Sequence, residues 1–348
     1  MNPLAWTGIV LGIVFGFVLQ RGRFCMNSAF RDIVVLKEYT LLKTVGLAIL
    51  VEMVGFAIII QTGLVTLNPK PLFWGANIVG GLIFGIGMVL AGGCASGVTY
   101  RVGEGMVGAM VAVAGFGLAG LMSAMGVLNP LVKLLQTSTK ITVGDGQSPT
   151  LFGLLGISYN VAVIAVVVIA VVIWLITRRK GEDSEKSSAS LSDRIFKKGW
   201  GWAATGVVIG IIGIAAYPLS AAAGRNYPLG ITGGWINIWK SLIVPENFLS
   251  WEGLEVLGIV IGAAIAALIA GEFSLRAPEP KVILQTFLGG FLMAFGAVAS
   301  KGCNIGHVLS GVPMLSLGSI LGSISIILGS WIAAYFMFVR PMQSAGKE

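Results

Sequence analysis

Long stretches without a charged residue limit most strongly what this chain can fold into. No Asp, Glu, Lys or Arg occurs in six segments: residues 71–100, 105–132, 146–177, 199–224, 282–300 and 302–339. An apolar helix needs roughly 20 residues to cross a bilayer, and most of these segments are longer. Charged residues make up 11% of the 348 residues, against roughly 25% in globular proteins. A soluble fold could not bury this much apolar chain, so the sequence predicts a membrane protein.

The predicted fold class is an all-α polytopic membrane protein with about nine transmembrane helices and short broken or re-entrant helices. Helices suit lipid because they satisfy their own backbone hydrogen bonds. The lipid bilayer is thus a predicted partner, whereas nucleic acid is not, because the net charge of +8 comes from loops between apolar runs. The nine predicted spans are residues 4–20, 41–62, 74–94, 105–127, 155–177, 200–220, 253–271, 282–300 and 314–338.

The distribution of Lys and Arg predicts an N-terminus outside the membrane and a cytoplasmic C-terminus. Cytoplasmic loops carry an excess of positive residues. With the N-terminus outside, 17 of the 23 Lys and Arg lie on the cytoplasmic side and six lie outside. The polar loop of residues 178–199 holds the largest cytoplasmic group and divides the chain near its middle.

An internal repeat spans this loop. Thr7-Gly8-Ile9-Val10-Leu11-Gly12-Ile13 matches residues 205–211 at five of seven positions, and residues 80–97 match residues 289–306 at seven of 18. Because the first span of each half enters from opposite sides, the halves are predicted to be inverted, an arrangement typical of transporters. The predicted organisation is half A (1–130), a connector span with the cytoplasmic basic loop (131–199) and half B (200–348), a 4+1+4 arrangement.

All three cysteines follow glycine-containing segments at the ends of apolar runs. Cys94 and Cys303 share the pattern Gly-Cys-x-x-Gly, and Cys25 lies in Gly22-Arg23-Phe24-Cys25-Met26-Asn27. In half B, Gly224-Arg225 keeps the Gly-Arg pair without a cysteine. Irregular backbone at membrane depth is tolerated only where it faces protein or a watery cavity. The pattern predicts cysteines at helix breaks along a central path, with small, inert buried thiols as the alternative.

Several polar residues are candidates to support the cysteines. A buried carboxylate such as Glu52, in the middle of the second span, is costly and must face the interior. It either carries a proton or holds a broken helix through backbone N–H groups. Glu255 and Glu272 lie near span ends, so we expect them at the membrane interface. His307 is predicted to hydrogen-bond at a cavity mouth, since a metal site needs more ligands than the chain offers nearby. The remaining candidates are Arg23, Asn27, Ser96, Lys301 and Asn304.

These motifs resemble the YeeE/YedE family of bacterial inner-membrane sulfur-compound transporters. The resemblance lies in residues 22–27, 91–97, 227–234 and 301–306. It implies a transporter, with no catalytic residues and no cofactor, that takes up thiosulfate through a path on which Cys303, Cys94 and Cys25 contact the ion in turn. It also implies the bacterial inner membrane and a cytoplasmic TusA-like sulfur-carrier partner.

The expected chemistry is hydrogen bonding from protonated thiols to a dianion with a soft terminal sulfur. A thiolate would repel such an ion. In the predicted topology Cys303 lies toward the outside, Cys94 near the middle and Cys25 at the cytoplasmic end. Lys301 and Arg225 supply positive potential. The alternatives are another sulfur or selenium species, a metal ion, a membrane thiol redox protein and a scaffold in which cysteine substitutions are silent.

The charge distribution gives a direct test of topology. A reporter that is active only in the cytoplasm, fused to the C-terminus, is expected to be active, and a reporter that needs the outer compartment is expected to be inactive. Fusions in the loop between the second and third spans should show the reverse. A C-terminal reporter active only outside would overturn both the orientation and the inverted repeat.

Overall fold

The computed structural model describes residues 3–144, 146–177, 191–244 and 248–345. The polar loop of residues 178–199 is therefore described only from residue 191 onward. Five positive residues used to predict topology lie outside the described residues: Arg178, Arg179, Lys180, Lys186 and Lys347. The described chain is almost wholly helical, which confirms the predicted all-α class.

The helices are numbered in chain order. They are α1 (Thr7–Arg21), α2 (Met26–Val35), α3 (Thr40–Gln61), α4 (Trp74–Leu90), α5 (Ala95–Gly103), α6 (Val107–Ala124), α7 (Asn129–Ser138), α8 (Leu151–Leu154), α9 (Tyr159–Thr177), α10 (Leu191–Phe196), α11 (Trp202–Ala222), α12 (Thr232–Ile243), α13 (Trp251–Ile269), α14 (Pro280–Ala299), α15 (Leu317–Ala334) and α16 (Arg340–Ala345). A 3-10 turn covers Pro3–Trp6, and π-helical segments cover Ile305–Gly311 and Tyr335–Val339. Strands β1 (Leu72–Phe73) and β2 (Lys140–Ile141) form a short antiparallel pair.

Nine helical stretches in the described residues are long and apolar enough to cross a membrane, as predicted. The first and third extend further than predicted, because α2 and α5 follow α1 and α4 after short breaks. The nine stretches are Pro3–Val35, Thr40–Gln61, Trp74–Gly103, Val107–Ala124, Tyr159–Ile176, Trp202–Ala222, Trp251–Ile269, Pro280–Ala299 and Leu317–Ser344.

Glycines set how closely these helices pack. On α1, Gly8, Gly12 and Gly16 lie directly against backbone carbonyl groups of α13, so none of them has room for a Cβ atom. Gly258 and Gly262 of α13 lie in the same way against α1. Small residues that let backbones approach are the usual means of helix association in membranes, where lipid removes the hydrophobic driving force. The high glycine content therefore serves packing in the bilayer.

The helix pairings repeat between the two halves. Helix α1 packs on α13 as α11 packs on α3, and α4 packs on α15 as α14 packs on α6. Two further pairs, α1 with α11 and α4 with α14, join equivalent helices directly. Exchanging the halves maps this set of pairings onto itself. The inverted repeat and its domain boundaries stay predictions, and the pairings are those that such a repeat requires.

Two pairs of counterpart helices, α1 with α11 and α4 with α14, end in the same hydrogen-bonded turn, which also ends α13 at Gly271. In each, a residue with positive φ is followed by one whose N–H donates to the carbonyl five residues earlier, which is the Schellman arrangement. In the two pairs, the positive-φ residues are Arg23, Gly92, Lys301 and Gly224. Two residues further on, the chain carries Cys25, Cys94, Cys303 and Asn226 respectively.

This geometry corrects the alignment of the half-B counterpart of Cys25. Gly224 takes the conformation of Arg23, not of Gly22, which places Asn226 opposite Cys25. The Gly-Arg match in the sequence is offset by one residue from the structural match. The ends of α1, α4, α11 and α14 are thus four turns of one kind in the described chain, and a cysteine follows three of them.

The glycine packing predicts where one methyl group destabilises the protein. Gly12→Ala is expected to lower stability, because the added Cβ would overlap the Glu255 carbonyl oxygen. Overpacking of this kind costs about 1–3 kcal/mol. Gly46→Ala is the matched control, since no neighbouring atom lies within 4 Å of its Cβ. Thermal unfolding in detergent should show a lower midpoint for G12A and an unchanged or higher midpoint for G46A. Equal midpoints would contradict the packing account.

Candidate functional site

A cavity of about 510 Å³ opens where three connections meet. These are residues 68–71 after α3, residues 225–233 between α11 and α12, and residues 301–306 after α14. Three cations, Lys70, Arg225 and Lys301, line it together with one carboxylate, Glu252, and the thiol-bearing Cys303. We call this cavity the vestibule. Its excess positive charge suits an anion.

Arg225 and Tyr227 fix the shape of the vestibule wall. The Arg225 guanidinium donates to the carbonyls of Tyr227 and Pro228 at 2.7 and 2.6 Å, and its Nε lies 3.1 Å from a Glu252 carboxylate oxygen. The Tyr227 hydroxyl donates to the Gly306 carbonyl at 2.6 Å. The connection between α11 and α12 is thereby tied to the segment that follows Cys303.

Lys70 approaches the same wall from the other side. Its Nζ lies 4.1 Å from the centre of the Tyr227 ring, a cation–π contact. Loss of water around the amine lowers the pKa of Lys70 to about 8, and the charges of Arg225 and Lys301 act in the same direction. The lysine is therefore charged at neutral pH and loses its proton as the pH rises through about 8.

Lys301 occupies a position that favours glycine. Its φ is +64°, and the matching residue of half A is Gly92, with a φ of +70°. A bulky residue in the left-handed region is uncommon and costs free energy, and such strain often lies at functional sites. The lysine side chain lines the vestibule next to Cys303, where its charge would act on a bound anion.

Cys303 lies in the vestibule wall with 2% of its surface exposed. The next residue, Asn304, is wholly buried, and neither its amide nitrogen nor its oxygen has a hydrogen-bond partner in the described chain. Leaving such a group unsatisfied costs free energy. After it the chain forms the π-helical segment Ile305–Gly311, a type of turn frequent at functional sites.

Cys25 and Cys94 form a second, buried thiol group. Their sulfur atoms are 3.7 Å apart, so they touch without a disulfide bond. Each cysteine directly precedes a helix, α2 and α5, and so lies at its partially positive N-terminal end. Gly97 makes room for the pair, since a Cβ there would lie 2.7 Å from the Cys25 sulfur. The sequence predicts these two thiols at separate depths, whereas the structure brings them together.

Polar groups surround this thiol pair. The Cys94 sulfur accepts a hydrogen bond from the Gly97 N–H and lies 3.4 Å from the Ser96 hydroxyl oxygen. Asn27 is wholly buried, and its side chain has no hydrogen-bond partner among the residues described. Both unpartnered amides of this kind, Asn27 and Asn304, thus lie within two residues of a cysteine.

Other predicted residues lie elsewhere. His307 is wholly buried, not at a cavity mouth; its ring packs under Gly302 and its Nδ1 lies 3.2 Å from the Ser319 hydroxyl oxygen. The imidazole ring thus packs against the segment that carries Cys303 and helps to hold it in place. Arg23 is exposed and pairs with Glu272 at 3.1 Å. Glu52 is wholly buried, as predicted, and makes no hydrogen bond to a backbone N–H in the described residues.

A polar network joins the ends of α1 and α13. Arg21 is wholly buried, and its Nη2 lies 2.5 Å from a Glu272 carboxylate oxygen. No motif in the sequence marks this arginine. Gln20 donates to both Glu272, at 2.7 Å, and Glu104, at 3.1 Å. Glu255, expected at the interface, is instead wholly buried within α13. The expectation failed because α1 and the segment around Gly230 pack against Glu255, which its position near a helix end does not indicate.

Comparison with known proteins identifies the family. A family described as sulphur transport matches residues 21–332. The chain belongs to the sulphur transport family. The match covers nearly the whole chain and includes all three cysteines. With the nine apolar helices, it makes the protein a multi-pass membrane transporter.

Three relatives are similar over different shares of the chain. "Thiosulfate transporter TsuA" of Spirochaeta thermophila is 41% identical over 97% of this chain and its own whole length. "Thiosulfate transporter TsuA" of Escherichia coli is 34% identical over 99% of this chain and 98% of its own. "Probable transporter YedE" of Escherichia coli is 36% identical over 30% of this chain and 26% of its own. The resemblance seen in the motifs is thus confirmed for the family.

The vestibule charge predicts how thiol reagents react. A negatively charged methanethiosulfonate is expected to modify Cys303 faster than a positively charged one of similar size, because Lys70, Arg225 and Lys301 attract anions. Lys301→Glu should bring the rate ratio close to one, because the positive and negative charges of the lining then balance. The rate ratio should fall as the pH rises through about 8, since Lys70 then loses its charge. Cys303→Ala identifies the modified residue by abolishing the reaction, and a rate ratio near one in the wild type would contradict the vestibule account.

Proposed function

We propose that the protein takes up thiosulfate across the bacterial inner membrane into the cytoplasm, with the N-terminus outside. The observation that carries the proposal is the vestibule, which three cations and the Cys303 thiol line, and the buried amide of the next residue, Asn304, has no hydrogen-bond partner in the described residues. Two relatives named thiosulfate transporters align over almost the entire chain, which supports the choice of ion.

The first step is capture in the vestibule. Lys70, Arg225 and Lys301 attract the dianion, and a low-dielectric wall strengthens their field. The Cys303 thiol donates an S–H hydrogen bond, and its polarizable sulfur suits the soft terminal sulfur of thiosulfate. The Asn304 amide supplies N–H donors that have no other partner in the described residues.

The second step is transfer to the Cys25–Cys94 pair. Two thiols in contact, the Asn27 amide and the Ser96 hydroxyl offer donors again, at the N-terminal ends of two helices. The donors of this second station are neutral, so they hold the ion more weakly than the cations of the vestibule do. Several weak sites in series allow an ion to enter and also to leave. On the cytoplasmic side a TusA-like sulfur carrier would receive the ion, as the family resemblance implies.

A second candidate function is thiol redox chemistry, which the 3.7 Å separation of Cys25 and Cys94 favours. The two candidates differ in the role of Cys303. A redox pair needs Cys25 and Cys94 alone, whereas a transport path needs all three thiols. Thiosulfate uptake by variants in which one cysteine at a time is replaced therefore separates the two functions.

Replacing Cys25, Cys94 or Cys303 with Ala is expected to reduce uptake of labelled thiosulfate into proteoliposomes roughly ten- to hundredfold. A lost hydrogen bond to a charged group costs about 1.5–3 kcal/mol, which corresponds to that factor. Serine keeps a donor but loses polarizability, so Ser variants should retain partial activity.

The matched control is Ser330→Ala, which removes one buried polar atom from α15 and should leave uptake intact. Unlabelled sulfate and selenite in excess test the ion preference. Wild-type uptake in all three Ala variants would sink the proposed path, and loss confined to Cys25 and Cys94 would favour the redox function.

A further inference from the structure

Two carboxyl groups lie wholly inside the protein without a partner. Glu52 in α3 and Glu255 in α13 are 0% exposed, and no oxygen of either makes a hydrogen bond to another described residue. Neither forms an ion pair in the described chain. The transport path proposed above uses neither of them.

The two glutamates lie on counterpart helices of the two halves, one helical turn apart in register. Gly12 of α1 lies against the Glu255 carbonyl oxygen, whereas its counterpart Gly210 of α11 lies against that of Ala48, four residues before Glu52. The helices are counterparts in the packing, since α3 packs on α11 as α13 packs on α1. One costly group on each of two counterpart helices indicates a shared function, not an accident of one helix.

The surroundings give neither carboxyl an ion-pair partner in the described residues. A Cβ on Gly213 of α11 would overlap a Glu52 carboxylate oxygen, so the glycine makes space for this group. Gly230 lines the vestibule, and its backbone lies next to the Glu255 carboxyl group. Glu255 is thus separated from the vestibule by one connecting segment, and Glu52 lies under α11.

Few charges act on these groups. Arg225 and Glu252 act on Glu255, but they pair with each other, so their effects largely cancel. Tyr159 of α9 is close enough to Glu52 for the two groups to interact electrostatically. The other titratable groups on the elements packed against α3 and α13 are Tyr217, Arg31, Asp32, His307, Arg21, Tyr100, Arg101 and Lys240.

A carboxyl in such surroundings holds a proton, because an isolated buried charge is too costly to maintain. Uptake of a dianion moves two negative charges into the cell, which the membrane potential opposes unless positive charge moves with them. An inside-negative potential of 100 mV opposes accumulation of a doubly charged anion by a factor on the order of 10³. Two protons moving with each ion would remove this barrier, since the transported charge would then be zero.

We propose that Glu52 and Glu255 are proton-binding sites that couple thiosulfate uptake to the entry of two protons. The inference rests on the proposed uptake of thiosulfate. Each carboxyl takes a proton on the outer side with the ion bound and releases it to the cytoplasm when the ion leaves. The two counterpart helices thus give one proton site per half.

The test uses purified full-length protein in proteoliposomes. Exchange of labelled for unlabelled thiosulfate across the membrane measures binding and translocation without net proton movement. Accumulation driven by an inward proton gradient measures coupling. In the wild type both should occur, and an internal pH dye should report acidification of two protons per ion.

Glu52→Gln and Glu255→Gln should retain exchange and lose gradient-driven accumulation at least tenfold, because an amide resembles the protonated carboxyl but cannot release a proton. Glu279→Gln, an exposed glutamate before α14, is the matched control and should behave as the wild type.

The outcomes separate the two proposals. Absence of exchange in the wild type would overturn the proposed function itself. Exchange and uptake without internal acidification would overturn the coupling alone, and this measurement needs no variant to fold. Gln variants that still accumulate thiosulfate with the gradient would also overturn it, leaving the carboxyls a structural role.

Discussion

A helix that stops inside a membrane must hydrogen-bond its last carbonyl groups within the protein, because lipid offers no partner. The chain meets this constraint with the same Schellman turn at the ends of α1, α4, α11 and α14. The turn needs one residue with positive φ and then releases the chain into a new direction. Three cysteines and Asn226 follow these turns, so the functional groups lie where the backbone has already left the helix.

Close helix packing encloses these turns. Glycine faces bring α1 against α13 and α4 against α14 until backbone touches backbone. Irregular chain at membrane depth is thus surrounded by protein, except where the vestibule opens to Cys303. The same packing explains why buried amides and carboxyls without hydrogen-bond partners persist. The free energy gained from close helix contacts offsets the cost of leaving these groups unpaired.

The sequence predicted much of the fold and part of the site. Uncharged runs define spans almost unaided, because the bilayer requires them, and the Gly-Cys motifs mark the breaks. The contact between Cys25 and Cys94 could not be predicted, since 69 residues separate them and the contact depends on how α2 and α5 enter the bundle. Burial of Glu255 and His307 likewise depends on long-range packing. Tyr227 belongs to the 227–234 motif and could be singled out, whereas no motif marks Lys70 as a residue of the vestibule.

Asn226 stands at the fourth break, opposite Cys25. A dimer of identical halves would carry the same residue at both equivalent positions, and its two mouths would be chemically alike. Joining the halves in one chain frees each position to change independently. One mouth of this protein therefore presents lysine and arginine around a single thiol, while the opposite half keeps two thiols in contact. If the halves are an inverted repeat, joining them in one chain is what allows the two ends of the scaffold to differ in their chemistry.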